Sequence, residues 1–157
     1  MNVVADGLAG GPAAALLPPV DEAGAPDEVR ALYDEIRAFY ERADVPPVFR
    51  VLARDAGYAR EVWGATRHAF TDRRLSRRLK EALAFAVSLT GSSAFGTAFH
   101  LGEMRRLGVG ERGVFEVLGV TQMFSSYTKI ADTLQLEPDM GHIAPADPTP
   151  PPGVQAP

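Results

Sequence analysis

Apolar residues recur at helical spacing through most of the chain and predict an all-α protein. Pro26 and Asp27 open a first helix, one face of which carries apolar residues three and four positions apart: Val29, Leu32, Tyr33, Ile36 and Tyr40. A short segment is predicted at 48–54. A longer helix follows at 56–70, in which Trp63 belongs to the core and four residues face inward: Tyr58, Val62, Ala65 and Ala69. No Asn-Gly or Asp-Gly turn separates alternating stretches, so no β-hairpin is expected.

The stretch at 76–90 is apolar on almost every side and predicts a buried helix. Ser76 is a natural N-cap, and the residues that follow it include Leu79, Ala82, Leu83, Phe85, Ala86, Val87 and Leu89. Gly91 is expected to end this helix, and the next helix is expected to stop at Gly108. Because the connection is so short, the two helices should fold back as a central antiparallel hairpin. One or two further helices are predicted over 111–136.

The two ends of the chain differ in composition from the middle. Residues 1–25 are mostly Ala, Gly and Pro, and residues 138–157 are Pro-rich, so neither segment favours a regular helix or a central strand. The sequence therefore predicts low-complexity arms on either side of a helical domain at 26–137. The N-terminus does not resemble a secretory signal, and no apolar run reaches the ~18–20 residues that span a bilayer. We expect a cytoplasmic protein with no membrane partner.

Composition limits both the chemistry that the protein can perform and the partners that it can bind. The 157 residues include no cysteine, which excludes disulfides, thiolate metal sites and a thiol nucleophile. The net charge of −4 argues against nucleic acid as the main partner. A basic cluster at 67–80 stands out, but it lacks the interleaved aromatic residues that stack bases. Local or intersubunit ion pairs are the simpler interpretation of that cluster.

Two polar residues stand inside otherwise apolar helices. Glu81 lies in the first helix of the hairpin, where an unpaired carboxylate is costly to bury. His100 lies between Phe99 and Leu101 in the second, so the two side chains can face each other across the hairpin. A carboxylate that bonds an imidazole fixes the tautomer of the ring and suits it to act as a general base. A structural polar pair is the alternative interpretation.

Two other chemistries would use neighbouring residues. His100 and Glu103 lie three residues apart and, with Glu81, make a conceivable metal-ligand set; a solvated Glu103 near Arg106 is the simpler interpretation, and no metal is expected.

Ser93 is ~10.5 Å from His100 along the helix axis, too far for the imidazole to activate its hydroxyl directly. Ser93 is therefore predicted to cap the second helix rather than to act as a nucleophile.

Glu81 and His100 belong to a longer pattern. Val87-Ser88 ends the apolar stretch, and the flanking segments read VPPVFRVLA, LSRRLKE and YTKIADTLQLEPD. Over roughly 45–139 the chain resembles the alkylhydroperoxidase D / carboxymuconolactone decarboxylase family, and in particular its peroxidase-related branch. That family's pattern is a glutamate, an apolar stretch ending in Val-Ser, a Cys-x-x-Cys that opens a helix, and a histidine four residues after the second cysteine. The resemblance implies an all-α, alkylhydroperoxidase D-like helical domain.

The cysteines of that pattern are missing. The resemblance places Ser93 at the first cysteine and Gly96 at the second, which in the family meets peroxide while the glutamate and histidine help to activate it. Glycine has no side chain to react, so thiol peroxidase chemistry is excluded. The candidate site is then Glu81 and His100 as a proton relay, with Ser93 and Gly96 at the cysteine positions. Gly96 is expected to leave room for a small substrate.

Two functions remain open. The first is a decarboxylase- or isomerase-like enzyme that transfers a proton on a small-molecule ligand and needs no cofactor. The second is a non-catalytic relative that keeps the fold as an oligomeric or interaction scaffold. The resemblance implies a homo-oligomer (a dimer, trimer or hexamer) in either case. Helices apolar nearly all round agree with this, because a chain this short buries them best against neighbours.

Overall fold

The computed structural model describes residues 16–137, which form six α-helices and one short 3-10 helix. The 3-10 helix spans Glu22–Gly24, and the α-helices are α1 (Asp27–Tyr40), α2 (Pro47–Leu52), α3 (Ala56–Phe70), α4 (Arg77–Thr90), α5 (Ala94–Arg106) and α6 (Glu111–Thr133). This part of the chain contains no strand, so the predicted all-α class is confirmed. The arm predicted at 138–157, like residues 1–15, lies outside the described residues. The chain divides into two compact units between Lys80 and Glu81.

An aromatic core holds the first unit together. The apolar face predicted for α1 is confirmed, since all five of its residues are buried. Trp63 of α3 is also buried, and its ring meets the rings of Phe39 and Phe49 edge-on, with centroids 5.3 and 5.5 Å apart. Such edge-to-face pairs add stability beyond the area that they bury. The core role predicted for Trp63 is therefore confirmed.

The inward face predicted for α3 is wrong. The buried residues of this helix are Ala59 and Trp63, whereas Tyr58 is 54% exposed and both Ala65 and Ala69 are exposed. Trp63 has the largest apolar surface on the helix, so the side of the helix that carries it packs inward. Tyr58 tolerates exposure because its hydroxyl can remain in water.

Part of the predicted N-terminal arm packs against helices of the first unit, to which it belongs. The Tyr33 hydroxyl donates a hydrogen bond to the Val20 carbonyl at 3.1 Å, and the Val20 N–H donates to the Arg50 carbonyl at 2.9 Å. Ala25 is buried. These contacts join the segment before α1 to both α1 and α2.

The predicted burial of α4 on every side is wrong. Its N-cap is as predicted, because the Ser76 hydroxyl accepts from the Leu79 N–H at 3.3 Å. Glu81 and Phe85 are buried, but Leu83 and Val87 on the other side of the helix are exposed. An apolar residue pattern does not tell which surface covers it, and within residues 16–137 one side of α4 is left exposed.

The connection after α4 also differs in detail from the prediction. Ser92, not Gly91, takes the left-handed conformation, with φ of 55°. Gly108 has φ of 81° just after α5, as expected for a residue that stops a helix. A single helix, α6, covers 111–133. Within residues 16–137, no helix combines the length and apolar character needed to cross a bilayer.

Candidate active site at the α4–α5 hairpin

The hairpin brings Glu81 and His100 into direct contact. The Nδ1 atom of His100 lies 2.7 Å from Oε2 of Glu81, within hydrogen-bond distance. The Glu81 side chain is 1% exposed and the His100 side chain 18%. When Glu81 is ionised it only accepts hydrogen bonds, so the ring then donates from Nδ1 and, if neutral, has its lone pair on Nε2. The arrangement joins a partly exposed imidazole to a buried carboxylate.

The register of the hairpin follows from its turn. Ser93 caps α5 as predicted, because its hydroxyl accepts the Gly96 N–H at 3.1 Å, and its own N–H donates to the Ser88 carbonyl at 2.9 Å. Glu81 and Ser88 are seven residues apart and therefore share a face of α4. Gly96 and His100 are four apart and share a face of α5. The antiparallel register thus sets Glu81 against His100 and Ser88 against Gly96.

The space beside Gly96 is filled, contrary to the expectation that a missing side chain would leave room there. Gly96 is buried. A Cβ atom added at this position would come closer to the Ser88 hydroxyl than van der Waals contact permits, and would lie 3.1 Å from the Ser93 hydroxyl. The two helices therefore approach closely at Gly96, and the Ser88 hydroxyl takes the volume that a side chain would need.

Glu103, on α5, is the second buried carboxylate of the hairpin. The prediction that it is solvated is therefore wrong. Its side chain is 2% exposed, and Oε2 accepts from Nε and Nη2 of Arg106 at 3.1 and 3.0 Å. The i, i+3 spacing of these residues predicted the pair but not its burial. Among residues 16–137, no three potential ligands are grouped so as to hold a metal ion.

Arg77 of the basic cluster is engaged by aromatic rings. Its guanidinium carbon lies 4.3 Å from the centroid of the Phe39 ring, a cation–π geometry. The backbone N–H of Arg77 donates to the Asp72 carboxylate, and Lys80 Nζ donates to the Thr71 carbonyl at 2.6 Å. These residues stabilise the start of α4, where cations would otherwise oppose the helix dipole.

The cavities of the described residues include three that lie away from the Glu81–His100 pair. The largest, about 520 Å³, is in the first unit and is lined by Asp21, Glu22, Tyr33, Arg37, Arg42, Asp44, Val45, Pro46, Pro47 and Arg50. Two of its charged residues are paired: the hydrogen bond from Arg37 lowers the pKa of Glu22, and the same bond raises the pKa of Arg37. The other two, of about 340 and 320 Å³, lie on the second unit along α6. Sequence reasoning missed the first cavity because its lining comes from three elements that are separated along the chain.

Comparison with known proteins identifies the fold and the family. The structure is similar to the core of alkylhydroperoxidase AhpD from Rhodospirillum rubrum, with a TM-score of 0.76 and 23% sequence identity over 80% of this chain and 95% of that one. At this identity the similarity shows the fold. None of the curated proteins matches the sequence. The model of the carboxymuconolactone decarboxylase family matches residues 48–136, more than half of the chain. The chain therefore belongs to the carboxymuconolactone decarboxylase family, and it has the AhpD core fold without any cysteine.

Proposed function

We propose that this chain transfers a proton on a small molecule, with His100 as the general base and Glu81 as the residue that orients it. One observation carries the proposal: a fully buried carboxylate bonds Nδ1 of an imidazole that is itself partly exposed. A buried carboxylate is costly unless its partner offsets the desolvation. Here the partner is the imidazole of His100, which lies within hydrogen-bond distance of the carboxylate through Nδ1.

The chemistry follows from the ring. In the neutral form, Nε2 accepts a proton from an acidic C–H or O–H of the ligand, while Glu81 stabilises the imidazolium that results. The ring then returns the proton to a different atom, which gives isomerisation, or to the carbanion left when CO₂ departs, which gives decarboxylation. Neither sequence of steps needs a thiol or a redox partner. The family description favours small lactone acids as the substrate class.

Ser93 and Gly96 have no chemical role in this proposal. Ser93 caps α5, and Gly96 lets α4 and α5 approach closely. Because the sequence contains no cysteine, the protein is expected not to reduce organic peroxides by thiol chemistry.

The test is proton exchange on a panel of small lactone acids and carboxylic acids in D₂O. Proton NMR reports deuterium incorporated at carbon, and released CO₂ is measured in parallel. His100→Asn should lower the rate on any active compound about 10²–10⁴-fold, the contribution of a positioned base. His68→Asn is the matched control, since His68 is exposed on α3, and it should leave the rate unchanged. Turnover that survives in His100→Asn would overturn the proposal.

A non-catalytic scaffold is the second candidate, and the filled space at Gly96 is the observation that favours it. Close packing of Ser88 on Gly96 suits a hairpin kept for its stability. Under this hypothesis the whole panel shows no exchange, and Glu81→Gln costs several kcal/mol because it breaks a buried structural pair. Under the enzyme hypothesis Glu81→Gln folds almost normally and exchanges slowly.

A further inference from the structure

The 520 Å³ cavity of the first unit brings three arginines together. Its volume lies within the range of small-molecule binding sites. Most of its lining residues are charged: Asp21, Glu22, Arg37, Arg42, Asp44 and Arg50. We call this space the arginine cavity. Guanidinium groups that line one cavity suit a ligand with carboxylate groups, which they can bind through two parallel hydrogen bonds.

Two of these arginines are bound by the carboxylates of two adjacent residues. Nη1 of Arg37 donates to Oε1 of Glu22 at 2.8 Å, and Nη2 of the same guanidinium donates to Oε2. Nη2 of Arg50 donates to Oδ1 of Asp21 at 2.7 Å. The short segment before α1 therefore places one carboxylate on a guanidinium of α1 and another on a guanidinium of α2.

The carboxylates are the more exposed partners in both pairs. Nε of Arg37 also donates to the Ala43 carbonyl at 2.8 Å, and the Arg37 side chain is 25% exposed. The side chains of Glu22 and Asp21 are 47% and 83% exposed. Exposed ion pairs contribute little to stability. A ligand with equivalent carboxylates can therefore displace these two side chains at small cost.

The displacement requires only side-chain rotation. On one side the segment is held at Val20, whose N–H donates to the Arg50 carbonyl and whose carbonyl accepts from the Tyr33 hydroxyl. Burial raises the pKa of Tyr33, so this hydroxyl keeps its proton at neutral pH and remains a donor. On the other side the segment is held at Ala25, which is buried. The two carboxylates between these anchors can turn into water while the backbone around the cavity stays in place.

The charge that remains in the cavity defines the ligand. With the carboxylates of residues 21 and 22 turned away, the lining has three arginines and one carboxylate, Asp44, for a formal charge of +2. Separate arginines bind the two carboxylates, so two carboxylate groups reproduce the observed contacts better than a single phosphate group does. Val45, Pro46 and Pro47 provide apolar surface for the carbon chain that joins them.

We propose that the arginine cavity binds a small aliphatic dicarboxylate, with one carboxylate on Arg37 and the other on Arg50. Asp21 and Glu22 occupy these two positions when no ligand is bound, and so act as a competitor built into the chain. A competitor on a short tether acts at an effective concentration in the millimolar range, which makes binding to the wild-type chain weak. The proposal is independent of proton transfer at the α4–α5 hairpin.

Removal of the built-in competitor is the first test. Titrations with succinate, glutarate and adipate, followed by ¹H–¹⁵N NMR, give the dissociation constants. The double variant Asp21→Asn/Glu22→Gln should bind the best of the three about 10-fold more tightly than the wild-type chain. Asp27→Asn/Glu28→Gln is the matched control, because it changes another adjacent Asp-Glu pair that does not line the cavity. It alters the net charge equally and should leave the affinity unchanged.

Removal of one binding group is the second test. Arg50→Gln should weaken binding at least about 10-fold, because one carboxylate of the ligand then has no guanidinium. Arg60→Gln is the control: Arg60 is also in a surface ion pair, with Glu35 at 3.0 Å, but it does not line the cavity. Butyrate and inorganic phosphate serve as probes with a single anionic group, and each should bind at least about 10-fold more weakly than the best dicarboxylate.

A milder variant keeps the test decisive if the double variant does not fold. The Asp21 side chain is 83% exposed, so Asp21→Asn should fold normally and tighten binding by less than the double change does. The proposal is wrong if a folded Asp21→Asn binds none of the dicarboxylates. It is also wrong if the control pair tightens binding equally, if Arg50→Gln and Arg60→Gln have the same effect, or if phosphate binds as tightly as the best dicarboxylate.

Discussion

The aromatic cluster around Trp63 and the Glu81–His100 pair each join a buried group to a partly exposed one, but they place charge in opposite ways. Trp63 donates from Nε1 to Glu35 at 3.2 Å, and Glu35 is itself 39% exposed, so the charged member of that pair stays in water. In the hairpin, the charged member is the buried one and the imidazole is the partly exposed one. The first arrangement stabilises a core at little electrostatic cost. The second buries the carboxylate against one ring nitrogen, and the proposed proton transfer depends on this arrangement.

The largest effect is expected from the aromatic cluster. Trp63→Ala should lower the free energy of unfolding by about 3–5 kcal/mol, because it removes a large buried ring and leaves a cavity. Urea denaturation followed by circular dichroism measures this. Tyr58→Ala, on the same helix but exposed, should change stability by no more than about 0.5 kcal/mol. Equal losses in the two variants would contradict the assignment of the core.

A smaller loss of stability is expected from a substitution at Gly96, where α4 and α5 approach each other closely. Gly96→Ala should cost about 1–2 kcal/mol, because the added methyl meets the Ser88 hydroxyl. Ser88→Ala in the same chain should recover part of that loss, since it removes the obstructing atom. The double-mutant cycle measures this coupling directly. A coupling energy of zero would mean that Ser88 does not fill the space beside Gly96.

Glu81→Gln should cost less again, about 1 kcal/mol, because the amide oxygen can still accept the bond from His100 Nδ1. Its effect on proton exchange should be far larger than its effect on stability. Glu103→Gln is the matched control: it makes the same change at an equally buried carboxylate, and it should leave exchange unaltered. A loss of several kcal/mol in Glu81→Gln, with no change in exchange, would make the pair structural.

The smallest expected effect is on the pH dependence of stability, through Glu35 beside the aromatic cluster. The hydrogen bond from Arg60 holds the pKa of Glu35 below its ordinary value, and the bond from Trp63 acts in the same direction. The folded state therefore binds this proton less readily than the unfolded state. The stabilisation is complete at neutral pH and is lost as the pH falls through the lowered pKa. Glu35→Gln should flatten the acid limb of the stability curve, and an unchanged limb would contradict this assignment.

The sequence predicted the elements and the central contact, but not which surfaces are covered. The spacing of α1 revealed its buried face, and a short turn between two helices was enough to place Glu81 opposite His100. The spacing of apolar residues predicted the wrong buried face for α3, because the side of the helix that carries the large Trp63 ring packs inward. It also failed on α4, because an apolar stripe looks the same whether the chain or a neighbour covers it. The contact of Ser88 with Gly96 depends on the distance between two helices, which no local pattern encodes.

The tautomer of His100 tests the central claim most directly. Long-range ¹H–¹⁵N NMR distinguishes the two ring nitrogens, and His68→Gln and His142→Gln variants assign the signals. At a pH at which the ring is neutral, it should carry its proton on Nδ1 and its lone pair on Nε2, and Glu81→Ala should abolish that preference. A ring that is protonated on Nε2, or that keeps its tautomer in Glu81→Ala, would contradict the account.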